Sequence, residues 1–186
     1  MNPRLKLAVT FCAGIAVGVI VYAYTPHIIR TADMHPPPNL ITVTKRIDTS
    51  GQPTAEQLKG LQVVGYDMVI NLAPPYTLGS IEDEGSLVAA SGISYISIPV
   101  DWNYPKMSDF DLFSDILDQA GARHVLVHCQ VNRRASLFTF LYRVAHENAD
   151  VDLAYENVTE IWSPEPHWLE FANSVMARHQ IDFDPL

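Results

Sequence analysis

The amino-acid sequence predicts an α/β fold, with a parallel or mixed central sheet of four to five strands flanked by helices. Short runs rich in branched apolar residues alternate with longer segments of helical periodicity, which is typical of a sheet covered on both faces. The chain has 186 residues, 48% of them hydrophobic, enough for one domain with a buried core and an appendage. The appendage is an apolar N-terminal segment that favours a transmembrane helix.

Residues 7–24, LAVTFCAGIAVGVIVYAY, carry no charge and reach the lower end of the length that a spanning helix needs. A cleaved signal peptide is the alternative, but the following YAYTPHIIR offers no convincing cleavage site between small residues. We therefore expect residues 1–24 to be an uncleaved membrane anchor. Residues 25–39 contain three consecutive prolines and are expected to form a stiff linker. Residues 40–186 would then be the folded domain.

The flanking charges bear on the orientation of this anchor. Arg4 and Lys6 precede the apolar segment, while His27 and Arg30 follow it. The positive-inside rule favours an N-terminus in the cytoplasm, which places the domain in the periplasm of a bacterium, attached to the inner membrane. The opposite orientation, with a cytoplasmic domain, stays open because a reactive thiol is exposed to oxidation outside the cytoplasm.

The elements of the domain are predicted from composition and periodicity. The segments rich in β-branched residues are expected to be strands: 40–47, 67–73, 93–100 and 124–129. The segments with helical periodicity are expected to be helices: 55–65, 81–92, 109–120, 134–148, 151–161 and 164–179. Helix starts are expected at Thr54, at Ser108, and at Ser163 followed by Pro164, and Gly92 is expected to end its helix.

Charge and cysteine content exclude several classes of function. The net charge of −9 argues against general binding to nucleic acid or to anionic membrane surfaces. The two cysteines, Cys12 and Cys129, cannot make a disulfide framework. Because Cys12 lies in the predicted anchor, Cys129 is expected to be a free thiol.

The stretch VLVHCQVNRRAS, residues 125–136, places Cys129 where a strand turns into a helix. Backbone N–H groups and the helix dipole at such a turn bind anions, and they also stabilise a thiolate as a nucleophile. Arg134, at the far end of the turn, can bind an oxyanion through two N–H groups. The pattern therefore predicts attack by Cys129 on a bound oxyanion such as a phosphate.

This stretch resembles the signature of the cysteine-dependent phosphatases of the protein tyrosine and dual-specificity superfamily, which is His-Cys, five residues, Arg, then Ser or Thr. His128, Cys129 and Ser136 match it, and the segments 50–72 and 96–105 resemble other parts of the same domain. Arg134 follows four intervening residues rather than five. This shortened form resembles a bacterial phosphatase-like subfamily that also occurs fused to metallo-β-lactamase-type hydrolases. The same four-residue spacing occurs in rhodanese-type sulfurtransferases.

The resemblance implies a role for each residue of the site. Cys129 would form a cysteinyl-phosphate, Arg134 would bind the phosphate oxygens, and Asp101 would protonate the leaving oxygen and then activate water. The loop residues would cradle the phosphate, with His128 as a supporting residue: Gln130, Val131, Asn132, Arg133, Ala135 and Ser136. Ser136 could also hydrogen-bond the thiolate. No metal and no cofactor are expected.

Several of these residues have plainer interpretations. Arg133 could be a second phosphate contact or a surface charge, and the sequence favours the surface. Asn132, in place of the usual mid-loop glycine, could hold the loop through its side chain or merely tolerate a left-handed conformation. Asp109 and Asp111 compete with Asp101 for the acid role but fit the first turn of a helix better. The aromatic residues near the C-terminus are expected to be core: Trp162, Trp168 and Phe171.

Three hypotheses for function follow. The first is a membrane-anchored phosphatase acting on a phosphoprotein, through phosphotyrosine or phosphoserine, or on a small phosphoester. The second is a sulfurtransferase with a persulfide on Cys129, for which Asp101 would be dispensable. The third is a phosphate-binding module without turnover. The expected partners are a phosphorylated substrate and the membrane, and not nucleic acid.

Overall fold

The computed structural model describes residues 35–184. The predicted anchor, residues 1–24, lies outside the described residues, as does the predicted linker up to residue 34. Within the described range, no helix has the length and apolar character needed to cross a bilayer.

A five-stranded mixed sheet forms the centre of the domain, with strand order β1-β2-β5-β3-β4. The strands are β1 (Ile41–Thr42), β2 (Ile47–Ser50), β3 (Met68–Asn71), β4 (Ser94–Ser97) and β5 (Val125–His128). β1 pairs with β2 in antiparallel fashion, and the other three pairings are parallel. The predicted α/β class with a mixed sheet is therefore confirmed.

Helices cover both faces of this sheet. They are α1 (Ala55–Val64), α2 (Glu84–Ala90), α3 (Met107–Ala120), α4 (Arg133–His146), α5 (Val151–Thr159) and α6 (Pro166–Arg178). Successive side chains of a strand point to opposite faces. Accordingly Val125 and Val127 of β5 enter the larger core under α3 to α6, while Leu126 enters the smaller core under α1 and α2. The larger core contains Trp162, Trp168 and Phe171, as expected.

The segment 40–47 was predicted as one strand, and this was wrong. It contains β1, a turn, and the first residue of β2. The side chain of Thr44 makes the turn, because its hydroxyl accepts the N–H groups of Arg46 at 3.2 Å and Ile47 at 3.0 Å. Such a local side-chain bond competes with strand pairing, so the chain reverses and β1 becomes an edge strand.

Helix starts were predicted with mixed success. Thr54 caps α1 in a full capping box with Gln57, as expected. Helix α3, however, begins at Met107 with Lys106 at the N-cap, so Ser108 is not its cap. Helix α6 begins at Pro166, two residues after the predicted Pro164. A proline does occupy the first turn, as expected, but it is Pro166 and not the predicted Pro164.

The carboxyl ends of three parallel strands meet at the centre of the sheet. His128, the last residue of β5, pairs with Ser50 of β2 on one side and with Asn71 of β3 on the other. Ligands of open α/β sheets bind beyond such ends. The loop that starts at Cys129 leaves the sheet at this position.

Candidate active site

A cleft of about 400 Å³ opens at the carboxyl end of the sheet. Three loops line it, those that follow β3, β4 and β5. The lining residues are Pro74, Tyr76, Thr77 and Leu78, then Asp101, Trp102 and Asn103, and then Cys129, Gln130, Val131, Arg133 and Arg134. The structure therefore brings Cys129, Arg134 and Asp101 into one cleft.

Cys129 lies at the floor of this cleft, with 1% of its surface exposed. Its N–H donates to the carbonyl of Ser50 at 3.2 Å, which extends the pairing of β5 with β2 by one residue. The chain then forms the 129–134 loop, and α4 begins within it at Arg133. The first N–H groups of a helix have no acceptor inside that helix, so those of α4 are available to an anion in the loop.

Arg134 brings a buried positive charge beside this thiol. It is 6% exposed, and its guanidinium carbon lies 5.3 Å from the ring centroid of Trp102. Among residues 35–184, its buried Nε has no hydrogen-bond partner and its guanidinium takes part in no ion pair. A buried cation without a counter-ion is costly. The site is therefore built to receive an anion.

Asn132 fixes the conformation of the loop at the position where the family usually has glycine. Its φ of 72° is left-handed and its side chain is fully buried. The amide Nδ2 donates to Thr49 Oγ1 at 3.1 Å and to the carbonyl of Asn39 at 2.7 Å. Both roles that the sequence left open for Asn132 occur together.

Asp101 lies in the loop after β4, half-buried at the wall of the cleft. Its Oδ1 accepts the N–H groups of Asn103 at 2.8 Å and of Tyr104 at 3.2 Å. Asp101 thus closes a turn and also faces the cleft, with Oδ2 outside the turn. The competing Asp111 pairs with Arg178 at 2.8 Å, and Asp109 is in the first turn of α3; neither lines the cleft.

Arg133 lines the cleft although much of it is exposed. Its guanidinium carbon lies 5.9 Å from the ring centroid of Trp102 and 5.5 Å from that of Trp162. Stacking on two indoles holds a cation in place without neutralising it. The sequence favoured a surface charge for Arg133; the structure places it both at the surface and in the wall of the cleft.

The remaining loop residues have mostly structural contacts. The hydroxyl of Ser136 donates to the carbonyl of Arg133 at 3.1 Å, so its hydrogen is directed to the helix rather than to the Cys129 thiolate. Ala135 is fully buried in α4. Gln130 donates through Nε2 to the carbonyl of Leu78 at 3.1 Å, which connects two walls of the cleft.

Sequence reasoning missed a buried polar cluster behind the loop. His128 Nε2 lies 2.8 Å from Glu84 Oε1, and both side chains are buried. The Glu84 carboxylate also accepts from Gln52 Nε2 at 2.7 Å and from Asn71 Nδ2 at 3.4 Å. Burial and the charge of Glu84 raise the pKa of the neighbouring Tyr95. Nothing in the local pattern of residues 81–92 distinguishes Glu84 from the exposed acids beside it.

The scan of family models and the search of curated proteins gave no match. Among solved structures, a protein from Shewanella putrefaciens CN-32 described as a "putative phosphatase (DUF442)" is 34% identical to this chain. The alignment covers 77% of this chain and 94% of that one, with a TM-score of 0.71. The chain is a DUF442 protein.

More distant structures share the fold of this DUF442 protein. The active form of Tk-PTP is 17% identical, over 76% of this chain and 98% of that one, with a TM-score of 0.64. The core catalytic domain of the PP-IP phosphatase SIW14 from S. cerevisiae is 14% identical, over 79% and 96%, with a TM-score of 0.62. The DUF442 protein thus shares its fold with these structures, and its 34% identical relative is described as a "putative phosphatase"; both findings agree with the resemblance of its loop.

Proposed function

We propose that this protein is a cysteine-dependent phosphatase that hydrolyses phosphoric monoesters through a cysteinyl-phosphate. One observation carries the proposal: a buried arginine that has no counter-ion among residues 35–184 lies in the same cleft as a buried free cysteine, at a strand-to-helix turn. An oxyanion supplies the missing charge, and the thiolate is placed to attack it. The description of the DUF442 relative as a "putative phosphatase", and the fold shared with the phosphatase SIW14, support the same reaction.

The reaction would proceed in two steps with Asp101 acting in both. In the first, the Cys129 thiolate bonds to phosphorus, the ester P–O bond breaks, and the leaving oxygen takes a proton from Asp101. In the second, water attacks phosphorus, Asp101 accepts the proton of that water, and the S–P bond breaks. Arg134 and the first N–H groups of α4 bind the phosphoryl oxygens throughout. Inorganic phosphate is released and the Cys129 thiolate is regenerated.

The walls of the cleft indicate the kind of ester. Aromatic and apolar side chains surround the floor, with Trp102 half-buried and Tyr76 and Leu78 more than four-fifths exposed at the rim. The cleft therefore has room for an organic group beside the phosphate. A phosphotyrosine or phosphoserine side chain, or a small phosphoester, fits this description. Among structures of the same fold, PTPMT1 was solved in complex with PI(5)P.

The four-residue spacing between Cys129 and Arg134 supports a second candidate function, a sulfurtransferase with a persulfide on Cys129. Sulfur transfer needs no general acid, so a requirement for Asp101 distinguishes the phosphatase from the sulfurtransferase.

Phosphate release from p-nitrophenyl phosphate by the full-length chain, under reducing conditions in detergent, tests the proposal. We expect Cys129→Ser to abolish release and Asp101→Asn to lower kcat by about 10²- to 10⁴-fold. Asp109→Asn, outside the cleft, is the matched control.

Absence of phosphatase activity would contradict the proposal. If the wild-type chain releases no phosphate but transfers sulfur from thiosulfate to cyanide, and if this transfer requires Cys129 but not Asp101, the protein is a sulfurtransferase. Binding of orthovanadate with neither activity would identify the phosphate-binding module.

We also propose that residues 1–24 anchor the protein in the bacterial inner membrane with the domain in the periplasm. The uncharged stretch 7–24 and the charges before it support this proposal. A C-terminal fusion to alkaline phosphatase, which is active only in the periplasm, tests it beside a fusion to a cytoplasmic fluorescent reporter. Activity of the fluorescent fusion alone would reverse the orientation, and recovery of the chain in the soluble fraction would remove the anchor.

A further inference from the structure

Residues 35–39, at the end of the proline-rich run, lie against the 129–134 loop. The carbonyl of Pro38 accepts the N–H of Gly51 at 2.7 Å. Asn39 Nδ2 donates to the carbonyl of Val131 at 3.2 Å, and the carbonyl of Asn39 accepts from Asn132 Nδ2 at 2.7 Å. Two asparagines thus bond reciprocally, each through its side-chain amide to a main-chain carbonyl of the other segment.

Gly51 shows how closely these segments approach. A Cβ at this position would lie 3.1 Å from the carbonyl oxygen of Gln130, 3.2 Å from that of Pro38 and 3.3 Å from the Cα of Val131. The backbone of residue 51 also forms a bridge with Val131. Three main-chain segments therefore meet at Gly51, so closely that a side chain would have to displace one of them: the 35–39 segment, the end of β2 and the 129–134 loop.

The loop depends on these outside contacts for its shape. It has one residue fewer than the superfamily signature, and a buried asparagine holds its left-handed position instead of a glycine. Asn132 is held by Thr49 and by Asn39, and Val131 by Asn39 and by the bridge to Gly51. A reacting group stays aligned only when a supporting shell fixes it. Asn39 contributes to that shell on two successive residues of the loop.

We propose that residues 36–39 form a brace of the active-site loop, with Asn39 as a positioning residue that acts through Val131 and Asn132. The inference rests on the proposed function and deepens it. Residues 36–39 then support the active-site loop in addition to connecting the N-terminal residues to the domain. Displacing it moves the N–H groups that face the phosphoryl oxygens.

The variants Asn39→Gly and Asn39→Asp in the full-length chain test the brace. Glycine keeps the left-handed φ of 52° and removes the amide, while aspartate keeps the shape and removes the donor to Val131. Asn148→Gly is the matched control, because Asn148 is also left-handed, with φ of 54°, and follows α4 outside the cleft.

We expect both Asn39 variants to lower kcat for p-nitrophenyl phosphate by about tenfold while KM changes little, since misplaced groups weaken transition-state contacts most. Orthovanadate, which takes a five-coordinate geometry on a thiolate, should bind about tenfold more weakly. Equal values of kcat and of vanadate affinity in the Asn39 and Asn148 variants would overturn the brace.

Vanadate protection of Cys129 from iodoacetamide separates this proposal from the proposed function. If the wild-type chain shows no phosphatase activity, but vanadate still protects Cys129 and the Asn39 variants lose that protection, the proposed function fails and the brace stands. If protection is equal in the Asn39 variants and the wild type, the brace fails whether or not phosphate is released.

Discussion

At the scale of single residues, the site combines groups that the loop itself supplies with groups that arrive from elsewhere in the chain. Cys129, Arg134 and Asn132 belong to the loop, and the types of the first two alone indicated an oxyanion site. Glu84 and Asn39 are distant in sequence, and only folding brings them to His128 and Asn132. Residue identity therefore led to the proposed chemistry, whereas the supporting contacts could be found only from the fold.

The buried pair of His128 and Glu84 should be important for stability. Glu84 is 5% exposed and its carboxylate accepts from three side chains. Glu84→Gln replaces one acceptor oxygen by an NH2 group, which faces the N–H donors of the neighbouring side chains. We therefore expect a loss of about 1–3 kcal/mol in the free energy of unfolding. Urea denaturation measures this loss, with the exposed Glu82→Gln as control. Equal midpoints for the two variants would show that the pair adds nothing to stability.

Arg133 should contribute to substrate binding rather than to the chemical step. Its guanidinium lies over the rings of Trp102 and Trp162, and no ion pair of the described residues neutralises it. We expect Arg133→Gln to raise KM for phosphoesters several-fold, more at low salt, with kcat nearly unchanged. Steady-state kinetics at two ionic strengths check this, beside Arg178→Gln outside the cleft. A fall in kcat at constant KM would assign Arg133 to the chemical step.

At the scale of elements, local sequence patterns predicted the strands and helices that depend mainly on residues close in sequence. The β5, loop and α4 unit was predicted closely because a short branched run and a longer helical period lie side by side in the sequence. The hairpin of β1 and β2 was missed because the hydroxyl of Thr44 makes a turn inside a segment rich in β-branched residues. Two helix starts were misplaced by two residues, because propensity alone does not separate neighbouring starts.

Two of the predicted helix caps can be compared directly. Thr54 accepts the N–H of Gln57 at 3.2 Å, whereas Ser108 lies inside α3. Thr54→Ala should lower the free energy of unfolding by about 1 kcal/mol, and Ser108→Ala by less than about 0.5 kcal/mol. Thermal or urea unfolding of the two variants measures the difference. A larger loss for Ser108→Ala would mean that α3 starts where the sequence predicted.

At the scale of the whole molecule, buried phenols make stability depend on alkaline pH. Burial, with the Asp118 carboxylate that accepts its hydroxyl, raises the pKa of Tyr142 to about 12. Burial and Asp48 likewise raise the pKa of Tyr66. Because these folded-state pKa values lie above that of about 10 in an unfolded chain, their stabilisation is complete below pH 10 and is lost as pH rises through the folded values.

Denaturation at pH 8, 10 and 11 should therefore show falling stability across the upper part of that range. Tyr142→Phe should make the fall shallower, because phenylalanine has no proton to lose. The exposed Tyr76→Phe should leave it unchanged. A stability that stays constant to pH 11 in the wild-type chain would show that these phenols ionise as freely in the folded protein as in the unfolded one.

If Cys129 is the nucleophile, it carries the phosphoryl group between the two steps of the reaction, and this intermediate can be trapped. With p-nitrophenyl phosphate, whose nitrophenolate leaves without needing a proton, the Asp101→Asn variant should form the intermediate and hydrolyse it slowly. Rapid quenching followed by mass spectrometry should then find one added phosphoryl group on the Cys129 peptide. The adduct should be absent from a Cys129→Ser variant. Release of phosphate with an unmodified Cys129, undiminished by Cys129→Ser, would contradict the account.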